Sequence, residues 1–95
     1  MTDSKEISVG ESLSLARKKK RLRYKKLSSE LNIDPSYLIA LEEENYSLIP
    51  GGDAYVKGFL RSYAKKLDLD PEKIVEDFNL SIKGNTKPKR WGLLK

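Results

Sequence analysis

The sequence predicts an all-α fold, a compact five-helix bundle with a helix-turn-helix inside it. Three observations predict this. Apolar residues recur at intervals of three and four in five stretches of the 95-residue chain. The stretches are parted by breaks in which Asp, Pro or Gly stand where one helix ends and the next begins. No segment alternates apolar and polar residues over a useful length, and no internal repeat is present.

The elements follow in order. Residues 1–8, MTDSKEIS, carry no helical pattern and are expected to form a flexible N-terminus. Helix one is expected over residues 9 to about 20, with Val9, Leu13 and Ala16 on one face; it ends in RKKKR, where cations suit the negative end of the macrodipole. Helix two, residues 24 to 31, buries Leu27 and Leu31. In the turn NID, Asp34 is read as N-cap and Pro35 as first residue of helix three, which stops near residue 44. The stretch LIPGGD breaks the chain, and Asp53 is read as the cap of helix four, lasting to about residue 67. DLDPEK repeats the signal: Asp70 caps, Pro71 takes the first position, and Ile74, Val75 and Phe78 give helix five its apolar side. The domain is therefore bounded at residues 9–80, and residues 81–95, with five cations and no acid, form a flexible basic tail.

Composition narrows the function. Lys and Arg outnumber Asp and Glu by 19 to 14, a formal net charge of +5, so a partner recruited through long-range electrostatics is anionic: nucleic acid, acidic protein or lipid surface. There is no Cys and no His. The usual zinc sites, thiol nucleophiles, catalytic triads and the commonest general base near neutral pH are therefore unavailable. We expect no enzyme, no metal, no cofactor and no small-molecule substrate. The longest apolar run, YLIAL, is far shorter than the roughly 20 residues that cross a bilayer, and the N-terminus lacks a secretory core, so the chain is expected to be soluble.

LSSELNIDPSYLIALEE, residues 27–43, has the spacing of a helix-turn-helix, with Leu27, Leu31, Ile33, Leu38 and Leu41 holding two short helices across a tight turn. The stretch resembles the lambda-repressor-like domains, and the resemblance implies a structural ion pair between Arg17 and Glu42. A helix that reads DNA sequence presents Arg, Lys, Asn or Gln to base edges. The exposed candidates here are Pro35, Ser36, Tyr37, Ile39 and Ala40, and Glu43 and Glu44 would stand near phosphates. Sequence-specific DNA binding is disfavoured, and any DNA binding is expected to be weak and non-specific. Lys18, Lys19, Lys20, Arg21, Arg23, Lys25 and Lys26 instead form a basic surface, either merely solvated or contacting phosphate or lipid.

Helix four carries three aromatics. At about 100° per residue, with Tyr55 at the origin, Tyr63, Val56, Leu67 and Leu60 fall between about 80° and 140°, the core-facing stripe. Tyr55 and Phe59 fall on its shoulder beside Gly58, Ser62 and Lys66, placed to be at least partly exposed one turn apart. Adjacent exposed aromatics are interface anchors; the alternative is that the YSLIPGG loop or the tail covers them.

Taken together, VGESLSLARKKKRL and LEEENYSLIPGGDAYVKGFLRSYAKKLDLDPEKI resemble the cytoplasmic domain of the RodZ family of bacterial cell-shape proteins over residues 9 to about 78. The most specific piece is LIPGGDAYVKGFLRSYAKKLDLDP. The resemblance implies binding to the actin-like filament protein MreB through two aromatics of helix four, here Tyr55 and Phe59, with Lys57, Ser62 and Lys66 as neighbours. It also implies a place on the cytoplasmic face of the inner membrane, with the tail as a juxtamembrane segment: Lys87, Lys89 and Arg90 against anionic lipid and Trp91 near the headgroups. One departure is that Arg23, Lys25 and Lys26 stand where the family commonly has a Ser cap and acidic residues. The function expected is a non-enzymatic adaptor tethering MreB to the membrane; the alternative is a DNA-binding regulator of the lambda-repressor type.

Overall fold

A computed structural model describes residues 7–82 of the chain. Five α-helices follow one another: α1 (Val9–Lys19), α2 (Tyr24–Leu31), α3 (Pro35–Glu43), α4 (Gly52–Lys66) and α5 (Pro71–Ile82), with one 3-10 turn (Tyr46–Leu48) between α3 and α4. The described residues contain no strand.

Local chemistry sets most boundaries. The Ser8 hydroxyl accepts the Glu11 N–H at 3.2 Å and the Glu11 carboxylate accepts the Ser8 N–H at 3.3 Å, a capping box that fixes the start of α1. Ser8, expected in a flexible segment, is thus the first residue of the folded unit. Asn32 closes α2 in the left-handed region at φ 63°, a conformation that Asn tolerates better than most residues, and the chain turns there into α3. Asp34 caps α3 by accepting the Ser36 N–H at 2.8 Å, and Asp70 caps α5 by accepting the Glu72 N–H at 3.1 Å.

Two boundaries differ from the sequence expectation. Asp53 does not cap α4. Gly51 and Gly52, at φ 98° and 75°, wind the chain into the helix before Asp53 is reached, so Gly51 is the N-cap and Asp53 lies in the first turn. Its carboxylate there still faces the positive end of the macrodipole. Helix α5 also continues through Ser81 and Ile82, past the expected limit at residue 80, and the Ser81 hydroxyl donates to the Phe78 carbonyl at 3.2 Å.

The core is built from one stripe of each helix: Leu13 from α1, Leu27 from α2, Leu38 and Leu41 from α3, Val56, Leu60 and Tyr63 from α4, and Phe78 from α5, all essentially without exposure. Each such side chain contributes about 1.5–3 kcal/mol through burial. Helix α3 is the central element, packed by α1, α2 and α4, and α5 completes the bundle against α4. The closest approach is at Gly10, where a Cβ would stand 2.1 Å from the Glu42 carbonyl oxygen, so glycine is what lets α1 cross α3.

A candidate docking ridge and a basic corner

One carboxylate ties four helices together beneath the candidate surfaces. Glu42 on α3 accepts from Arg17 of α1 through Nε at 2.8 Å and Nη2 at 3.3 Å, from the Tyr24 hydroxyl of α2 at 2.8 Å, and from the Tyr63 hydroxyl of α4. Arg17 also donates to the Leu22 carbonyl at 3.1 Å, and its guanidinium lies 4.2 Å from the Tyr24 ring centroid. The Arg17 and Glu42 side chains are only 13% and 5% exposed. Burial pushes the Glu42 carboxyl up, but the hydrogen bonds from Arg17, Tyr63 and Tyr24 outweigh it and hold the group below the usual carboxylate range. Burial and the bond to Glu42 raise both tyrosines above their ordinary value. No buried side-chain nitrogen or oxygen of the cluster is left without a hydrogen-bond partner, which suits a structural role.

Tyr63 is therefore the inward-facing member of the α4 aromatics, and the other two stand apart from it. Tyr55 is 60% exposed, with its ring laid against the backbone of Gly51: a Cβ at Gly51 would come 2.5 Å from the Tyr55 ring. Phe59 is half-buried. It meets Tyr55 edge to face, with centroids 6.2 Å apart, and stacks on Tyr37 of α3 at 5.9 Å. The YSLIPGG loop touches these rings through Gly51, against the Tyr55 ring, while Tyr37 covers one face of Phe59; tail residues 83–95 lie outside the described residues. The three rings make one row that crosses from α4 to α3. Tyr37 was legible only as an exposed residue of α3, because its partner lies 22 positions on in sequence (59 − 37).

Exposed Gly58 and Ser62 lie beside this row, and a Cβ at Gly58 would meet nothing within 4 Å. The fold does not need a glycine there. Lys66 stands at the far end, bridged to Glu30 of α2 at 2.5 Å. Lys57 does not join the ridge: it lies about 200° around α4 from Tyr55, on the other side of the helix.

The face of α3 that would enter a DNA groove is depleted further. Ala40, expected on the exposed face, is 2% exposed, because α3 is packed on three sides and Ala40 fills one of those contacts. Tyr37 is turned onto Phe59 and Ile39 is half-buried, leaving Pro35 and Ser36 exposed. Glu43 faces solvent. Glu44, expected as a second acid near phosphate, instead accepts the Gly10 N–H at 2.7 Å and caps α1.

The basic residues divide. Lys18 and Lys19 are exposed along α1, and Lys20 bridges Asp68 at 2.6 Å. Arg21, Arg23, Lys25 and Lys26 gather at the corner between α1 and α2, where they line a groove of about 540 Å³ with Ser29 and Glu30. Lys87, Lys89, Arg90 and Trp91 lie outside the described residues. Among the described residues no helix is long and apolar enough to cross a membrane.

The signature of the helix-turn-helix domain family matches residues 12–74, more than half of the chain. The chain is also similar to a protein described as the uncharacterized membrane protein YmfM of Bacillus subtilis (strain 168), 39% identical over 56 residues. That match covers 59% of this chain and 19% of the relative, so the chain spans a small part of the longer protein's length. No solved structure matches the chain.

Proposed function

The chain belongs to the helix-turn-helix domain family, and from that premise we propose that it is a non-enzymatic adaptor that docks the ridge on α4 against the actin-like filament protein MreB and tethers it to the membrane. The observation that carries this reading is the row Tyr55, Phe59 and Tyr37, with Tyr55 60% exposed over a glycine seat. Aromatic rings held by neighbouring rings offer a large contact area with little side-chain entropy left to lose, the property of an interface anchor. The resemblance to RodZ cytoplasmic domains supports MreB as partner. The similarity to a membrane protein supports the tether, with the basic tail as the segment nearest the lipid.

Cosedimentation with polymerised MreB tests the reading. Truncating a buried interface aromatic costs about 2 kcal/mol or more, so Tyr55→Ala with Phe59→Ala should weaken pelleting at least about 30-fold. Pelleting equal to that of the unchanged chain rejects the site.

A second reading is a DNA-binding regulator, favoured by the helix-turn-helix itself and by the cations at the α1–α2 corner. It requires sequence preference at physiological salt, whereas the exposed part of α3 offers no fork for a base edge. Titration against varied duplexes at roughly 150 mM salt separates the two, since weak and sequence-blind binding leaves DNA an electrostatic bystander.

A further inference from the structure

The corner between α1 and α2 concentrates positive charge, of which only Lys26 has an ionic partner among the described residues. Arg21, Arg23, Lys25 and Lys26 are all exposed and line one groove. Lys25 and Lys26 occupy the first turn of α2, the positive end of the macrodipole, where a cation is disfavoured. Arg23 stands at the N-cap and supplies no side-chain acceptor to the N–H groups of that turn. Arg21 holds φ 59°, a region that Gly or Asn adopts at lower cost. The groove's carboxylate, Glu30, is bridged by Lys26 at 3.3 Å and by Lys66 of α4 at 2.5 Å. It offsets at most one of the groove's four positive charges.

We propose that this groove seats the phosphate of an anionic lipid headgroup, giving the folded domain a membrane contact of its own, distinct from the basic tail. Guanidinium forks and ammonium groups lining one open groove, beside uncapped backbone N–H groups, are what a phosphate ester recognises. A nucleic-acid duplex presents the same ester, but a helix-turn-helix that grips its backbone through the first helix lays the second in the major groove. Here that second helix brings Glu43 to the surface, keeps Ala40 buried and turns Tyr37 onto Phe59. A layer of headgroups makes no such demand on α3. The Glu30–Lys66 bridge joins the corner to α4, the helix that carries the aromatic ridge.

The test is flotation of the 95-residue chain with vesicles of phosphatidylcholine mixed with phosphatidylglycerol, beside phosphatidylcholine alone. No MreB is present, so the outcome is independent of what the ridge docks. Two variants of equal net charge are compared, both with the tail intact: Arg23→Glu with Lys25→Glu inside the groove, and Lys18→Glu with Lys19→Glu outside it. Each cation near an anionic surface contributes roughly fivefold, so the groove pair should lose at least about tenfold in partitioning, and clearly more than the control pair. Equal losses, or no loss from the groove pair, overturn the proposal. So does a groove pair that floats normally but no longer binds a DNA duplex, which assigns the corner to nucleic acid. Carboxylates suit the first turn of α2 and are disfavoured in the last turn of α1, where Lys18 and Lys19 stand, so the comparison is made between variants, the control pair above all, that circular dichroism reports as folded. On the unchanged chain, the amide signals of Arg23, Lys25 and Lys26 should shift saturably with phosphatidylglycerol nanodiscs and not with inorganic phosphate alone. Unmoved signals, or equal saturation by inorganic phosphate, also overturn it.

Discussion

Glu42→Gln keeps the size of the side chain and removes the charge on which four helices converge. Arg17, 13% exposed, then lacks its counter-ion, while the Tyr24 and Tyr63 hydroxyls compete for one amide oxygen. Removing one partner of a buried pair costs about 3–5 kcal/mol. The oxygen that Gln retains places this case at the lower end, about 3 kcal/mol. At roughly 0.05–0.15 kcal/mol per residue, a domain of this size has about 4–11 kcal/mol in total, so much of its stability is at stake. In thermal melts followed by circular dichroism, 1 kcal/mol corresponds to about 4–8 °C for a small domain, so the midpoint should fall by about 12–24 °C. Replacing both partners, Glu42→Gln with Arg17→Met, should cost less than the sum of the two single changes, because no buried charge is left unpaired. A melt of Glu42→Gln within about 3 °C of the unchanged chain would refute the assignment of Glu42 as the hub of the fold.

The remaining predictions concern pH and two glycines. Glu42 has a depressed value in the folded state, so its contribution is present above its ordinary value of 4.5 and is lost as pH falls through the folded value; urea midpoints should drop in acid, and Glu42→Gln should flatten that limb. The raised tyrosines act in the opposite sense: their contribution is present below their ordinary value of 10.0 and is lost as pH rises through the folded values, giving an alkaline limb that Tyr63→Phe should reduce. Gly51→Ala places a side chain at φ 98° and against the Tyr55 ring, so it should lower stability by about 1–2 kcal/mol in urea titrations and weaken MreB pelleting by displacing that ring. Gly58→Ala meets open space on an exposed helical face and should raise stability by about 0.5–1 kcal/mol, while reducing pelleting if the partner lies close against α4 there.

Periodicity and punctuation carried most of the fold. Asp34 with Pro35 and Asp70 with Pro71 are short-range signals whose hydrogen bonds stay within three residues, and the helices they start lie where spacing places them. The Asp53 signal failed because two glycines upstream took the entry to α4, and left-handed φ values leave no mark in a periodicity. Ser8 was missed although Glu11 stands three residues on, the spacing of a capping box. The angular argument on α4 separated Tyr63 from Tyr55, since both positions depend on one helix alone. What stayed hidden is tertiary: the Tyr37–Phe59 stack, the Tyr24 and Tyr63 hydroxyls on Glu42, and Glu44 on the N-terminus of α1 each join residues from different helices. For Tyr63 one signal was available, because a phenol on a core-facing stripe needs a partner for its hydroxyl.

Amide-resolved mapping of the contact surface bears most directly on the adaptor reading. With the chain labelled with nitrogen-15 and an MreB variant that cannot polymerise added in steps, signal loss should centre on Tyr37, Tyr55, Gly58, Phe59 and Ser62, leaving Lys18 and Lys19 unaffected. Loss centred on Pro35, Ser36 and the α1–α2 corner in the presence of a DNA duplex, with the α4 signals unmoved by MreB, would contradict it.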